Sequence, residues 1–101
     1  MTRGTTPTLT FKIGLKPSKL QTLYITGAQS GRVVFERTLD QMVVNESASS
    51  VAFKLTQEET LGLSEKVPVY LQGRGLTTDG NAVATDILQT GISAILKEGV
   101  I

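Results

Sequence analysis

Turn-forming residues punctuate this chain too closely for long helices. They fall at Pro7, Gly14 to Ser18, Gly27 to Gly31, Asn45 to Ser50, Gly62 to Lys66, Thr78 to Asn81 and Gly91. Between them lie short runs rich in β-branched and aromatic residues. Short apolar runs at such spacing are the pattern of an all-β sandwich or barrel.

Inside the runs the apolar residues alternate, as they do in strands with one buried face. In Thr8 to Ile13, Leu9, Phe11 and Ile13 alternate with Thr8, Thr10 and Lys12. Leu20 to Thr26 sets Leu23 and Ile25 against Thr22, Tyr24 and Thr26. After the glycine-bearing stretch 27–31 the chain reverses into Arg32 to Thr38, where Val33, Phe35 and Arg37 oppose Val34, Glu36 and Thr38. An antiparallel pair is the simplest arrangement for these two runs. Leu39 to Val44 reads as a short edge strand, and Val51, Phe53 and Leu55 form the next apolar stripe.

One segment breaks the period. Thr56 followed three residues later by Glu59 is a capping-box signature. It predicts one helical turn near 57–62 that crosses between the sheets, with Leu61 and Leu63 plugging the end of the core. Val67 to Leu76 is the longest strand candidate, with Pro68 at its start or on a sheet edge. Gly73 and Gly75 suggest a bulge or a close backbone approach. Thr78-Asp79-Gly80-Asn81 is a hairpin turn, and Ala82 to Thr90 the returning strand. Ile92 to Ile101 reads as a last strand or a short helix. The prediction is an immunoglobulin-like antiparallel β-sandwich of about seven strands, a single domain over residues 1–101 with a flexible N-terminal arm over residues 1–7.

The chain has 101 residues, of which 40% are hydrophobic, so one packed core is within reach without metal or disulfide support. Only five residues are aromatic: Phe11, Tyr24, Phe35, Phe53 and Tyr70. Val, Ile, Leu and Ala must fill most of the interior. Neither a signal-peptide pattern nor an apolar run of membrane-spanning length is present. Synthesis in the cytoplasm, as a soluble protein, and no membrane partner are therefore expected.

The inventory of reactive groups is short. Histidine and cysteine are both absent, which removes the imidazole base, the thiolate nucleophile and the usual zinc ligands. Glu58 and Glu59 are adjacent, and neighbours on a helical turn point about 100° apart, so they do not converge on a substrate. Asp79-Gly80-Asn81 lacks the alternating acidic ligands of a calcium loop, and Gly73-Arg74-Gly75 lacks the Gly-Lys-Ser/Thr of a phosphate loop. The expectation is no enzyme, no metal, no cofactor and no small-molecule substrate. Net charge is +1 and the basic residues are dispersed. Nucleic acid is not an expected partner unless the fold gathers Lys12, Lys16, Lys19, Arg32 and Arg37 on one face.

Two places are candidates for a protein interface. The stripe Tyr70, Gln72 and Arg74 presents residue types enriched in interface hot spots on the outward face of a strand. Val100 and Ile101 leave an apolar pair in the tail, either docked on its own core or buried against another subunit.

Four phrases resemble a family as text: Arg3-Gly4-Thr5-Thr6-Pro7-Thr8, Leu55-Thr56-Gln57-Glu58-Glu59-Thr60-Leu61, the turn Thr78-Asp79-Gly80, and Ile95-Leu96-Lys97-Glu98-Gly99-Val100-Ile101. In this order, and over nearly the whole chain, they look like a family of small uncharacterised phage and prophage proteins of Firmicutes, often encoded among tail and other virion genes. The resemblance implies a phage origin and a virion-associated or accessory role, and it carries over no catalytic or binding residue.

Three functions compete. The first is a structural or assembly module of the virion, acting by contact with itself or with other phage structural proteins. The second is an accessory inhibitor that binds a host protein such as a defence factor; a net charge of +1 argues against nucleic-acid mimicry as its means. The third is a carbohydrate-binding module, for which no Trp and only two Tyr are poor equipment.

Overall fold

A computed structural model describes residues 1–101. Eight strands form two antiparallel sheets. The smaller sheet has the order β1 (Thr8–Lys12), β5 (Ser50–Lys54), β4 (Val43–Asn45). The larger runs β3 (Arg32–Thr38), β2 (Leu20–Gln29), β6 (Val69–Thr77), β7 (Ala82–Ala84), and β8 (Leu88–Thr90) also pairs with β6. The two sheets face each other across one core. Phe11, Val51 and Phe53 come from the smaller sheet, and Leu23, Ile25, Phe35, Val69 and Leu71 from the larger. The alternating runs point these residues inward, so most of the predicted stripes become the inner faces; in β3 the bulge at Val34 breaks the stripe, leaving Val33 exposed and Val34 against the core.

The body measures 48 × 25 × 17 Å. Its thinnest dimension fits two layers packed about 10 Å apart with their outer side chains.

The all-β sandwich is as expected, while its strand order departs from the immunoglobulin arrangement. In a constant-type immunoglobulin domain the first two strands share a sheet. Here β1 and β2 lie in opposite sheets, joined by the turn Pro17–Lys19.

Several local expectations are revised. β2 does not stop at Thr26 but continues to Gln29, and the reversal takes only Ser30 and Gly31, with φ of 50° and 77°. Two successive positive φ angles match the twist of a two-residue hairpin. Gly27, expected as part of the turn, is a strand residue opposite Phe35, whose ring lies across it. Any Cβ there would overlap that ring. Leu39–Gln41 is a turn of 3-10 helix rather than strand, and only Val43–Asn45 pairs with β5. Ala82 to Thr90 is divided because Thr85 leaves the ladder: its hydroxyl accepts from Gly73 N at 2.9 Å and donates to Asp86 O at 2.9 Å. The tail is neither strand nor helix.

Other expectations hold. Pro68 stands immediately before β6. Gly75 is a close approach, since a Cβ would lie 2.7 Å from the carbonyl oxygen of Thr22. The turn after β6 closes through Thr77 N donating to Asn81 O at 2.8 Å, and Gly80 takes a φ of 90°. The helical turn forms as α1 (Gln57–Leu61), with both halves of the capping box made between Thr56 and Glu59. Leu63 is buried beside it, whereas Leu61 is half-buried.

The arm over residues 1–7, expected to be flexible, carries specific bonds. Arg3 N donates to Ser93 O at 3.1 Å and Ser93 N to Met1 O at 2.7 Å. The Arg3 guanidinium donates to Leu61 O (2.8 Å), Leu63 O (2.9 Å) and Glu98 Oε1 (2.9 Å). It thereby ties the arm, α1 and the tail together.

Candidate binding surface

Because side chains alternate across a strand, whatever the inner face of β6 does not use must point outward. Val69, Leu71 and Gly73 turn inward; Tyr70, Gln72 and Arg74 share the outer face. Register brings β2 alongside: Arg74 lies opposite Tyr24, Gln72 opposite Thr26, and Tyr70 opposite Ala28. The outer face thus carries both tyrosines of the chain, 46% and 44% exposed. Tyr24 was not singled out in the sequence. Its alternation with Leu23 and Ile25 was the available signal, but only the register of β2 against β6 places it beside Arg74.

The three residues of the stripe do different work. The Gln72 amide donates to Thr85 O at 3.0 Å, so it pins the break between β7 and β8. Arg74 is exposed and takes part in none of the three ion pairs. With Tyr24, Thr22, Leu76 and Ala82 it borders a shallow depression of about 240 Å³. A second groove, about 450 Å³, runs past Tyr24 between Gln21 and Leu39. Both are open troughs bordered by threonines and a few apolar groups.

Val100 and Ile101 sit elsewhere, against α1. The Ile101 backbone is held by Gln57, whose Oε1 accepts from Ile101 N at 2.9 Å. Their side chains stay open, Val100 57% and Ile101 89% exposed, while Ile92 packs on the core. The tail is anchored by polar bonds, and its last two apolar side chains, Val100 and Ile101, face outward.

The five basic residues do not gather on one face, although Lys16 and Lys19 border one groove. Lys19 and Arg32 flank opposite ends of β2, a span of about 30 Å for ten strand residues. Arg37 turns toward the core on β3 and forms a two-pronged pair with Glu59 at 2.6 and 2.8 Å, its guanidinium 5.9 Å from the centre of the Phe53 ring. That pair holds the Glu59 carboxyl below the usual carboxylate range and raises the Arg37 guanidinium. Glu59 also accepts from Thr56 N at 2.9 Å, so one carboxylate caps α1 and bridges to the larger sheet. Sequence reading assigned Glu59 the capping role alone; the partner, 22 residues away, is a product of the fold.

No group of three or more acidic, histidine or cysteine side chains is placed to hold a metal ion. No helix is long and apolar enough to cross a membrane. No protein-family model matches the chain, and no curated protein matches its sequence.

Proposed function

We propose that the chain is a non-enzymatic structural or assembly module of a phage virion, acting by protein–protein contact with its own copies or with other phage structural proteins. The observation that carries this reading is the outer face of the larger sheet. Two exposed tyrosines and an unpaired arginine stand there on the central strand pair, β2 and β6. Tyr and Arg supply much of the energy in protein interfaces because they bury large area while keeping a polar tip to orient the partner. The phage setting is supported by the resemblance of residues 3–8, 55–61, 78–80 and 95–101 alone.

Two measurements test the proposal together. Sedimentation of the purified protein should show self-association or binding to a co-expressed structural protein, weakened by Tyr70→Ala and Arg74→Ala. Mass spectrometry of purified particles should find the chain. A strictly monomeric protein that is also missing from particles refutes the proposal; capture of one host protein instead would favour the inhibitor.

A further inference from the structure

The sandwich has several sheet edges, and they are not equivalent. β3, on one side of the larger sheet, carries a bulge opposite Gly27 and Ala28 and three charged residues, Arg32, Glu36 and Arg37. Bulges and charges are the usual means of blunting an edge. The other side of that sheet is split between β7 and β8, and β4 has three residues. β1 is blunted least: it carries no bulge, and its one charge is Lys12 at its end. It pairs with β5 in unbroken register over five residues.

The phase of that ladder decides what β1 offers. Pro7 O accepts from Leu55 N at 3.0 Å, and Ile13 N donates to Ser49 O at 3.0 Å. In an antiparallel pair the hydrogen-bonded positions alternate, so Leu9 and Phe11 also turn their backbone groups toward β5. Thr8, Thr10 and Lys12 then turn theirs away, onto the free edge. Their side chains are exposed. Three N–H groups and three carbonyls stand in line without a partner strand.

We infer that β1 pairs edge to edge with β1 of a second copy, antiparallel, about a two-fold axis at Thr10. This inference rests on the assembly reading and adds to the outer face of the larger sheet a second contact, at the edge of the smaller one. Rotation about Thr10 sets Thr10 opposite its own copy, Thr8 opposite Lys12 of the second copy, and Lys12 opposite its Thr8. Every residue with free edge groups thus meets another with free edge groups. No like charges face each other, and the central pair is Thr–Thr, a favourable cross-strand match. A shift of one residue would oppose groups already spent on β5. The two smaller sheets merge into one across the axis, and the half-buried Leu9 gains cover from Phe11 of the second copy. Such an interface is self-complementary, so association stops at the dimer.

The chain has no cysteine, which makes crosslinking a clean test. Directly opposed Cα atoms in a hydrogen-bonded pair lie about 5.5 Å apart, within disulfide range. Under mild oxidation Thr10→Cys should give a covalent dimer. Thr8→Cys alone should give none, and a mixture of Thr8→Cys with Lys12→Cys should give the mixed dimer. Thr10→Pro removes only an edge-facing N–H, a place where proline is tolerated, and should weaken dimerisation at least about tenfold with an unchanged far-ultraviolet dichroism spectrum. If Thr10→Cys crosslinks no faster than Thr8→Cys while the wild type still associates, the β1 edge is the wrong surface and the assembly reading stands. If the wild type neither associates nor enters particles, both fall.

Discussion

The two ends of the sandwich are closed by different physics. At one end α1, the arm and the tail form a polar seal. Glu59 binds Arg37 and the Thr56 amide, the buried Thr60 hydroxyl donates to Thr5 O, and Arg3 joins α1 to Glu98. The Gln29 amide, also buried, bonds Ser64 and Val67. No buried side-chain polar atom is left without a partner. At the other end, the layers part around an apolar cleft of about 250 Å³ lined by Ile13, Leu15, Leu20, Leu23 and Val83. The closed end is directional, so its parts cannot be exchanged one at a time. Substitution at the open end meets space.

The sharpest way to break this asymmetry is Gly27→Ala, in the half of β2 nearer the closed end. The new methyl would occupy the position of the Phe35 ring, which is 4% exposed. Displacing that ring should cost about 2–4 kcal/mol, read from denaturant unfolding. Next comes Arg37→Met, which leaves Glu59 charged and three-quarters buried without its partner; about 2 kcal/mol should be lost.

Glu59→Gln sharpens the same point through pH. The Arg37 guanidinium holds the Glu59 carboxyl below the usual carboxylate range. Its contribution is therefore complete above the ordinary carboxylate range and disappears as pH falls through the depressed folded value. The melting-temperature gap between wild type and Glu59→Gln should be widest near neutrality and close in strong acid. A gap independent of pH would show that the pair adds nothing electrostatic. At the open end, Val83→Ile adds one methylene to existing space, and should raise stability by up to about 0.8 kcal/mol in the same unfolding experiment. A loss beyond about 1 kcal/mol would mean that the cleft is already filled. The smallest effect belongs to Arg74→Ala, whose stability should stay within about 0.5 kcal/mol of wild type, because that guanidinium has no ion-pair partner in the chain.

Much of the fold was legible because strand signals are local. The recurrence of apolar residues two apart, Leu9 and Phe11, Leu23 and Ile25, Val69 and Leu71, reports which face is buried without reference to any partner strand. The capping box spans three residues, and the turn at Asp79-Gly80 is chemical at short range. Gly27 was misplaced for the complementary reason: a glycine under an aromatic ring eight residues away has the same local signature as a glycine in a turn. Of the candidate surface, the stripe Tyr70, Gln72, Arg74 could be read from parity. Its neighbour Tyr24, the engagement of Gln72 with Thr85 and the openness of Val100 and Ile101 could not.

By itself, then, the sequence determined that this chain is β-structured, which side of most strands is buried, and where one helical turn is capped, because each depends on residues within a turn or two of one another. The strand order, the Arg37–Glu59 bridge, and the edge left open at β1 were decided only in three dimensions. They depend on which runs become neighbours, and the free energy of that choice lies in contacts between residues tens of positions apart.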